Sequence, residues 1–178
     1  GYAASMQLQF QKMHGLGNDF MVFDAPAGSV LPTPAQWRAL ADRHTGIGFD
    51  QALVLEAPRR AGTEVFYRIF NADGSEVEQC GNGARCIAAL LYRRAQQSGA
   101  TPQANASLAM DSPAGVVHAR VLGPTLVSID MGAPDFDPQS LPFDAVARSA
   151  THVLELNGER GEFGAVSMGN PHAVLRVP

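Results

Sequence analysis

The sequence contains little that would suit a membrane or a nucleic acid as a partner. No apolar run approaches the length of a membrane span, and no basic segment followed by an apolar signal core stands near the start. There are 13 basic residues against 17 acidic ones, for a net charge of −4, and the basic residues are scattered apart from the pairs at 59–60 and 93–94. We therefore expect a cytoplasmic protein that binds a small molecule, with no nucleic acid and no membrane as partner.

Cysteine is scarce, with only Cys80 and Cys86 present. If both lie on one helix, their separation corresponds to about 9 Å of axial rise, which is too far for a disulfide. His14, His44 and His172 are scattered, and nothing matches the spacing of zinc ligands. We expect two free thiols and no metal site.

Short apolar and β-branched runs bounded by turn residues predict that strands dominate the fold. We expect strands near 8–14, 20–24, 52–56, 65–70, 107–110, 116–122, 126–131, 153–156, 162–166 and 173–177. Many strands with two helices indicate an α+β architecture, and the apolar middle of the second helix indicates a curved sheet wrapped around it.

Two segments predict the helices. Thr33 followed by Pro34 and Gln36 is typical of a helix start with a capping box, and this helix should run to about Arg43. The second helix should begin just after Cys80, carry an apolar stripe at 87, 90 and 91, and end at Gly99.

One internal similarity bears on the domain organisation. Gly17-Asn18-Asp19-Phe20 is echoed by Gly169-Asn170-Pro171-His172, at an offset of 152 residues. Chance explains such an echo as readily as duplication, because Gly-Asn before an apolar strand is a common loop-to-strand signal. If it is a duplication, the counterpart of Cys80 would lie beyond Pro178. We then expect a first domain at 6–125 and the beginning of a second, incomplete domain at 126–178. Residues 1–5 precede Met6, which reads as a natural start, so we expect them to be an added segment.

The segment from Glu78 to Cys86 places Cys80 at the very start of the second predicted helix. Unpaired backbone N–H groups and the positive end of the helix dipole converge there, which favours a thiolate. The same N–H groups can hold a carboxylate, and the glycines on both sides of Asn82 let a ligand approach the backbone. Most free cysteines are small buried apolar residues. The polar surroundings of Cys80 indicate a functional thiol instead, whereas Cys86, beside the apolar stripe, is expected to be structural.

Uncharged amides recur in loops and at strand ends. Asn is a routine turn residue, so none is informative alone, but the set would suit a zwitterionic ligand that needs many hydrogen bonds. The four amides are Asn18, Gln51, Asn71 and Asn170.

Four motifs, in order along the chain, resemble the signatures of diaminopimelate epimerases. They are Lys12-Met13-His14-Gly15-Leu16-Gly17-Asn18-Asp19-Phe20, Phe70-Asn71-Ala72-Asp73-Gly74-Ser75, Cys80-Gly81-Asn82-Gly83-Ala84-Arg85 and Gly169-Asn170-Pro171-His172. The resemblance implies two pseudo-symmetric domains, each a sheet curled round a helix, of which this chain holds the first and a truncated second. Substrate would bind in the cleft between them, each domain would give one cysteine, and the full-length enzyme would be a homodimer.

The resemblance also implies a reaction and the roles of individual residues. The family interconverts LL- and meso-diaminopimelate, for lysine and peptidoglycan-precursor synthesis, without pyridoxal phosphate or metal. Lys12 is the only lysine and lies inside the first motif, so a Schiff-base anchor has no other candidate. The implied roles are acid/base catalysis by Cys80, tuning of its acidity by His172, backbone contacts to the α-carboxylate from Gly81 and Asn82, and substrate contacts from Asn18, Gln51, Asn71 and Asn170.

The sequence alone leaves three points open. The family's second cysteine motif, of the Cys-Gly-Thr-Gly kind, and its Glu-Arg pair have no counterpart here, so we expect the chain to be inactive alone. Related enzymes of the same fold, a proline-type two-cysteine racemase or a phenazine-type isomerase, are alternatives. The first fits the amide set less well, and the second would lack the thiol. A non-catalytic anion-binding or redox module is an alternative of another class.

Overall fold

The computed structural model describes residues 8–100, 105, 107–145 and 147–176. Its two α-helices are α1 (Pro34–Ala41) and α2 (Gly81–Gln97), and a 3₁₀ turn spans Pro138–Ser140. The strands are β1 (Gln11–Gly15), β2 (Asn18–Asp24), β3 (Gln51–Glu56), β4 (Phe66–Asn71), β5 (Glu76–Val77), β6 (Ser107–Ser112), β7 (Gly115–Gly123), β8 (Leu126–Asp130), β9 (His152–Leu156), β10 (Glu159–Ser167) and β11 (Pro171–Val174).

The chain forms two compact units, residues 1–130 and 131–178. The division follows Asp130 rather than Thr125, because β8 pairs with β7 and so belongs to the first unit. The interpretation of residues 1–5 as an added segment lies outside the described residues.

The first unit is built on one mixed, eight-stranded sheet. Its main path runs β1-β2-β3-β4-β6-β7-β8, and the short β5 pairs with β4. The pairs β2–β3 and β4–β6 are parallel and the others antiparallel. β1 and β8 lie at opposite ends of this path, yet both contact α2. The sheet therefore curls around α2, which confirms the predicted α+β class with a curved mixed sheet wrapped around a helix.

The central strands of this sheet are buried on both faces. On one face Phe20 and Leu53 pack with Ile87 of α2. On the other face Trp37 of α1 packs against Phe70, with ring centroids 5.2 Å apart. Strands covered on both sides carry continuous rather than alternating apolar runs, and the buried runs 20–23 and 52–55 have that form.

The start of α1 agrees with the sequence prediction, but its end does not. Gln36 N donates to Thr33 Oγ1 at 3.4 Å and Thr33 N donates to Gln36 Oε1 at 2.8 Å, which together form the capping box. The helix stops at Ala41 instead of running to Arg43, because the Asp42 carboxylate accepts hydrogen bonds from the backbone N–H groups of His44 and Thr45. This side-chain turn replaces the next helical turn.

The second unit contains a three-stranded antiparallel sheet in the order β11-β10-β9. Its core is small, with Leu141, Phe163 and Ala165 buried and Phe143 packed beside them. β10 is longer than predicted. β11 spans Pro171–Val174 instead of the predicted 173–177, and residue 177 lies outside the described residues. Within the described ranges of both units, no helix combines the length and the apolar character needed to cross a membrane.

Candidate active site

The ends of four elements meet at one end of the first unit's sheet. β2 begins at Asn18 and β3 begins at Gln51, and these two strands run parallel. β4 runs antiparallel to β3 and ends at Asn71, directly opposite Gln51. Three of the amides predicted from sequence therefore lie at the same end of adjacent strands.

Cys80 joins this end of the sheet as the N-cap of α2. Its half-buried sulfur accepts a hydrogen bond from the Gly83 backbone N–H at 3.4 Å, and its thiol donates to Asn18 Oδ1 at 3.8 Å. Gly83 lets the helix start approach β3 closely, since an added Cβ would lie 3.0 Å from Leu53 Cδ2. The sulfur thus has one donor and one acceptor next to it, at a helix end that favours negative charge.

Asn18 and Asn82 form a directed chain of hydrogen bonds beside the thiol. Asn82 Nδ2 donates to Asn18 Oδ1 at 3.3 Å, and Asn18 Nδ2 donates to Asp50 Oδ2 at 3.0 Å. The other end of the Asn82 amide, Oδ1, accepts from the Arg85 guanidinium. Gly15 allows the β1–β2 hairpin to pack here, because an added Cβ would meet Asn82 at 3.4 Å.

Gln51 and Asn71 form a second amide pair on the neighbouring strands. Gln51 Nε2 donates to Asn71 Oδ1 at 2.9 Å, and Asn71 Nδ2 donates to Ser75 Oγ at 3.0 Å. Gln51 Oε1 is buried and has no hydrogen-bond donor within the described part of the chain. A buried acceptor without a donor is costly unless a ligand or water supplies one.

A cluster of charged side chains supports this region. Arg43 binds both Asp19 and Asp50, with N–O distances of 2.7 and 2.8 Å, and Lys12 binds Asp19 at 2.8 Å. The Arg43 guanidinium holds the pKa of the Asp19 carboxyl well below its usual range, although partial burial acts in the opposite direction. Asp50 therefore has a fixed position from which to hold Asn18.

Cys86, on the same helix, is far less accessible than Cys80. It is buried in the core cluster around α2, 4% exposed, as expected from its place beside the apolar stripe. Burial raises the pKa of its thiol to about 11. Cys86 is therefore a structural thiol.

The two remaining predicted residues lie in the second unit. Asn170 precedes β11 and His172 lies within it, and both are exposed in this chain. The His172 imidazole Nδ1 is 2.9 Å from the Asn170 carbonyl oxygen, a hydrogen bond between residues two positions apart in the chain. Their roles toward substrate and toward Cys80 stay predictions.

The structure brings together six residues predicted from sequence and adds three that were not assigned a role. The six are Asn18, Gln51, Asn71, Cys80, Gly81 and Asn82. The additions are Gly83, whose N–H binds the sulfur, and the charged residues Asp50 and Arg85, which hold the two asparagines. Arg85 lies three residues after Asn82, about one helical turn further along α2, and this spacing could have predicted their side-chain contact. Nothing in the sequence pairs Asp50 with Asn18.

Solved structures share this fold. A probable proline racemase from Agrobacterium radiobacter K84 matches with a TM-score of 0.65 and 17% identity, over 95% of this chain and 52% of that one. A hydroxyproline epimerase from Agrobacterium vitis matches with a TM-score of 0.61 and 16% identity, over 94% of this chain and 51% of that one. At these identities the likeness shows the fold alone.

Sequence relatives are much closer. Diaminopimelate epimerases from Thioalkalivibrio sulfidiphilus and Chromobacterium violaceum are each 50% identical to the chain, and the one from Pseudomonas savastanoi is 45% identical. Each match covers 97% of this chain and 60% of the relative, so the chain spans about three fifths of the length of these curated relatives. The family profile of diaminopimelate epimerase matches residues 10–136, which include all the site residues of the first unit. The chain belongs to the diaminopimelate epimerase family.

Proposed function

We propose that the protein interconverts LL- and meso-diaminopimelate by a two-cysteine acid/base mechanism, and that this chain supplies one of the two cysteines. The single observation that carries the proposal is the placement of Cys80. Its half-buried thiol caps α2 between a backbone N–H donor and an amide acceptor, in a chain that belongs to the diaminopimelate epimerase family.

Inversion of an α-carbon needs a base on one face and an acid on the other. Two thiols, one as thiolate and one as thiol, satisfy this need and exchange roles with the direction of the reaction. The surroundings of Cys80 suit both states, because the Gly83 N–H can donate to a thiolate and Asn18 Oδ1 can accept from a thiol. The second cysteine is proposed to come from the part of the protein outside this chain.

The start of α2 is proposed to hold the α-carboxylate of the substrate. The first four backbone N–H groups of a helix have no partner within it. Here the N–H of Gly83 binds the Cys80 sulfur and that of Ala84 binds the Cys80 carbonyl oxygen. The N–H groups of Gly81 and Asn82 are the ones proposed for the carboxylate, which would set the α-carbon beside the sulfur.

The amides at the strand ends are proposed to hold the polar groups of the substrate. Gln51 Oε1, a buried acceptor, suits an ammonium group, and Asn18 and Asn71 lie at the same end of the sheet. Asn170 is proposed as a further substrate contact and His172 as the residue that tunes Cys80, both from the second unit. A homodimer, a cytoplasmic location and a role in lysine and peptidoglycan-precursor synthesis complete the proposal, with no cofactor and no metal.

The proposal is tested on the complete gene product, incubated with LL-diaminopimelate in heavy water and followed by proton NMR at the α-carbon. We expect exchange and inversion at this carbon. Cys80→Ser should reduce the rate by about 10² or more, because a hydroxyl is a far weaker acid and base than a thiol. Cys86→Ser is the matched control, since it makes the same atomic change on the same helix away from the site.

Other outcomes distinguish the alternatives. Inversion of proline but not of diaminopimelate would assign the protein to the proline-type racemases. Ready oxidation of Cys80 without exchange on any amino acid would favour an anion-binding or redox module. Equal loss of activity in the Cys80 and Cys86 variants would contradict the assignment of Cys80 to the chemistry.

A further inference from the structure

The two asparagines beside Cys80 could in principle each face either way. A side-chain amide has an acceptor oxygen and a donor nitrogen of nearly the same shape, so its orientation depends on its partners. Asn82 and Asn18 are linked to each other, and each is also bound to a charged residue at its far side. Each charged residue can bind only one end of an amide, because a guanidinium only donates hydrogen bonds and a carboxylate only accepts them.

The direction of the chain follows from its two ends. Arg85 donates to Asn82 Oδ1, so the nitrogen of Asn82 must face Asn18. Asp50 Oδ2 accepts from Asn18 Nδ2, so the oxygen of Asn18 must face Asn82 and the sulfur of Cys80. Both ends specify the same direction.

We infer that Arg85 and Asp50 are positioning residues that fix the polarity of the Asn82–Asn18 chain, so that a hydrogen-bond acceptor always faces the Cys80 sulfur. This inference deepens the proposed function and rests on Cys80 as its acid/base. An acceptor stabilises the protonated thiol and opposes the helix N-terminus and the Gly83 N–H, which favour the thiolate. The Cys80 sulfur thus has one fixed hydrogen-bond partner for each of its two states, as an acid/base that works in both directions requires.

The cluster around Asp19 strengthens one end of the chain. Arg43 and the Asp19 backbone N–H both bind the Asp50 carboxylate, at 2.8 and 3.1 Å. The carboxylate therefore cannot rotate away from Asn18 without losing these two contacts. Charge-assisted bonds of this kind are roughly twice as strong as neutral ones.

Two further titratable groups that interact electrostatically with Cys80 lie on β4 and α2. Burial raises the pKa of Tyr67 on β4 to about 12 and that of Cys86 on α2 to about 11, so both are neutral between about pH 6 and 9. Charged residues near Cys80 include the opposite ones at the two ends of the chain, Arg85 and Asp50, and Glu78, which precedes Cys80 by two residues. A test must therefore separate amide orientation from simple charge effects.

The experiment measures the pH dependence of Cys80 alkylation in the 178-residue chain carrying Asp50→Asn, Arg85→Gln, or both. If charge alone matters, Asp50→Asn raises reactivity, Arg85→Gln lowers it, and the double variant, whose net charge is unchanged, resembles the wild type. If orientation matters, the double variant frees the amides to reverse and present a donor to the sulfur. We then expect the alkylation rate of the double variant at about pH 7 to be about fivefold above the product of the two single-variant fold-changes.

The alkylation rates of the folded variants are compared at low and at high ionic strength. A shift in the double variant that persists in high salt supports the inference, because charge effects are screened there and a direct hydrogen bond is not. Strictly additive single effects, or a shift that salt abolishes, overturn it. Since turnover is not measured, this outcome is independent of whether the complete protein epimerises diaminopimelate.

A second measurement needs no variant. In the wild-type chain we expect NMR cross-peaks from the Asn18 side-chain NH₂ protons to Asp50, and none from them to the Cys80 Hβ protons. Cross-peaks to Cys80 would show the reversed amide and overturn the inference even if the variants fail to fold.

Discussion

At the residue scale, the two cysteines show how position on one helix decides what a thiol can do. Cys80 lies at the N-cap, half-buried, with its sulfur bound to a backbone N–H. Cys86 lies on the same helix but within the core cluster around it. Reaction with an electrophile requires both access and a thiolate, and burial opposes both at Cys86.

We predict that an alkylating reagent modifies Cys80 well before Cys86. Burial raises the pKa of Cys86 to about 11, so at about pH 8 only about one Cys86 in 10³ is a thiolate, and its sulfur is also covered. Limited alkylation with peptide mapping over a pH series measures both rates in one sample. Cys86 should react only as the pH approaches 11 or as the chain unfolds, and comparable labelling of the two thiols in folded protein would contradict the site.

Sequence could predict most of the first unit's site, because its residues stand in short local motifs. The helix start after Cys80 and the backbone donors at Gly81 and Asn82 follow from capping rules alone. The contact between Asn18 and Cys80 joins residues far apart in the chain, and the motifs imply it only through the family resemblance. The bond between Asp50 and Asn18 depends on the turn before β3 and could not be predicted from composition or spacing.

At the element scale, sequence patterns predicted the strands and helices well but not how the strands pair. Alternating and apolar runs located the main strands to within a few residues. β5 was missed because it has only two residues and pairs only with β4. The parallel pairs β2–β3 and β4–β6 depend on how the chain crosses the sheet, and periodicity carries no information about that.

The turn between β4 and β5 provides a test of how α1 is held on the sheet. Gly74 has a φ of +87°, and an added Cβ would lie 2.7 Å from Pro34 Cα and 3.1 Å from Trp37 Cδ1. We predict that Gly74→Ala destabilises the first unit by about 3 kcal/mol, through the left-handed backbone and through overpacking against α1. Denaturant unfolding followed by fluorescence of Trp37, the only tryptophan, reports on this unit directly.

A matched control separates the two causes. Gly62 has a similar φ of +80°, but an added Cβ would meet nothing within 4 Å. Gly62→Ala should therefore cost only about 1 kcal/mol, the backbone contribution alone. Equal losses in the two variants would argue against close packing of this turn on α1.

At the scale of the whole molecule, the first unit has its own core, and it holds one of the two cysteines that the proposed mechanism requires. Its sheet curls around α2 and its central strands are covered on both faces, so it has the parts of an independent folding unit. The local geometry of the echoed Gly-Asn segments is also alike, because Gly17 and Gly169 have φ values of +89° and +88° and each lies in an antiparallel hairpin turn. Duplication predicts such a likeness, and the second, pseudo-symmetric domain stays a prediction.

We predict, as the strictest test of the two-cysteine proposal, that the 178-residue chain alone does not epimerise diaminopimelate. Cys86 cannot act as the second acid/base, because it is buried in the core around the same helix that Cys80 caps. A single thiol can remove an α-proton on one face but cannot deliver one to the opposite face. The chain should therefore return the proton to the side it left, giving at most slow exchange with retention.

The measurement is incubation of the purified chain with LL-diaminopimelate in heavy water, with α-proton NMR for exchange and chiral chromatography for inversion. The complete gene product at the same concentration is the positive control, and Cys80→Ser in the 178-residue chain is the background for any exchange. Exchange with retention that depends on Cys80 would show half of the mechanism in isolation. Inversion at a rate typical of enzymes, in a sample that mass spectrometry shows to be free of longer protein, would contradict the need for a second cysteine, because a chain with one accessible thiol would then be serving both faces of the α-carbon.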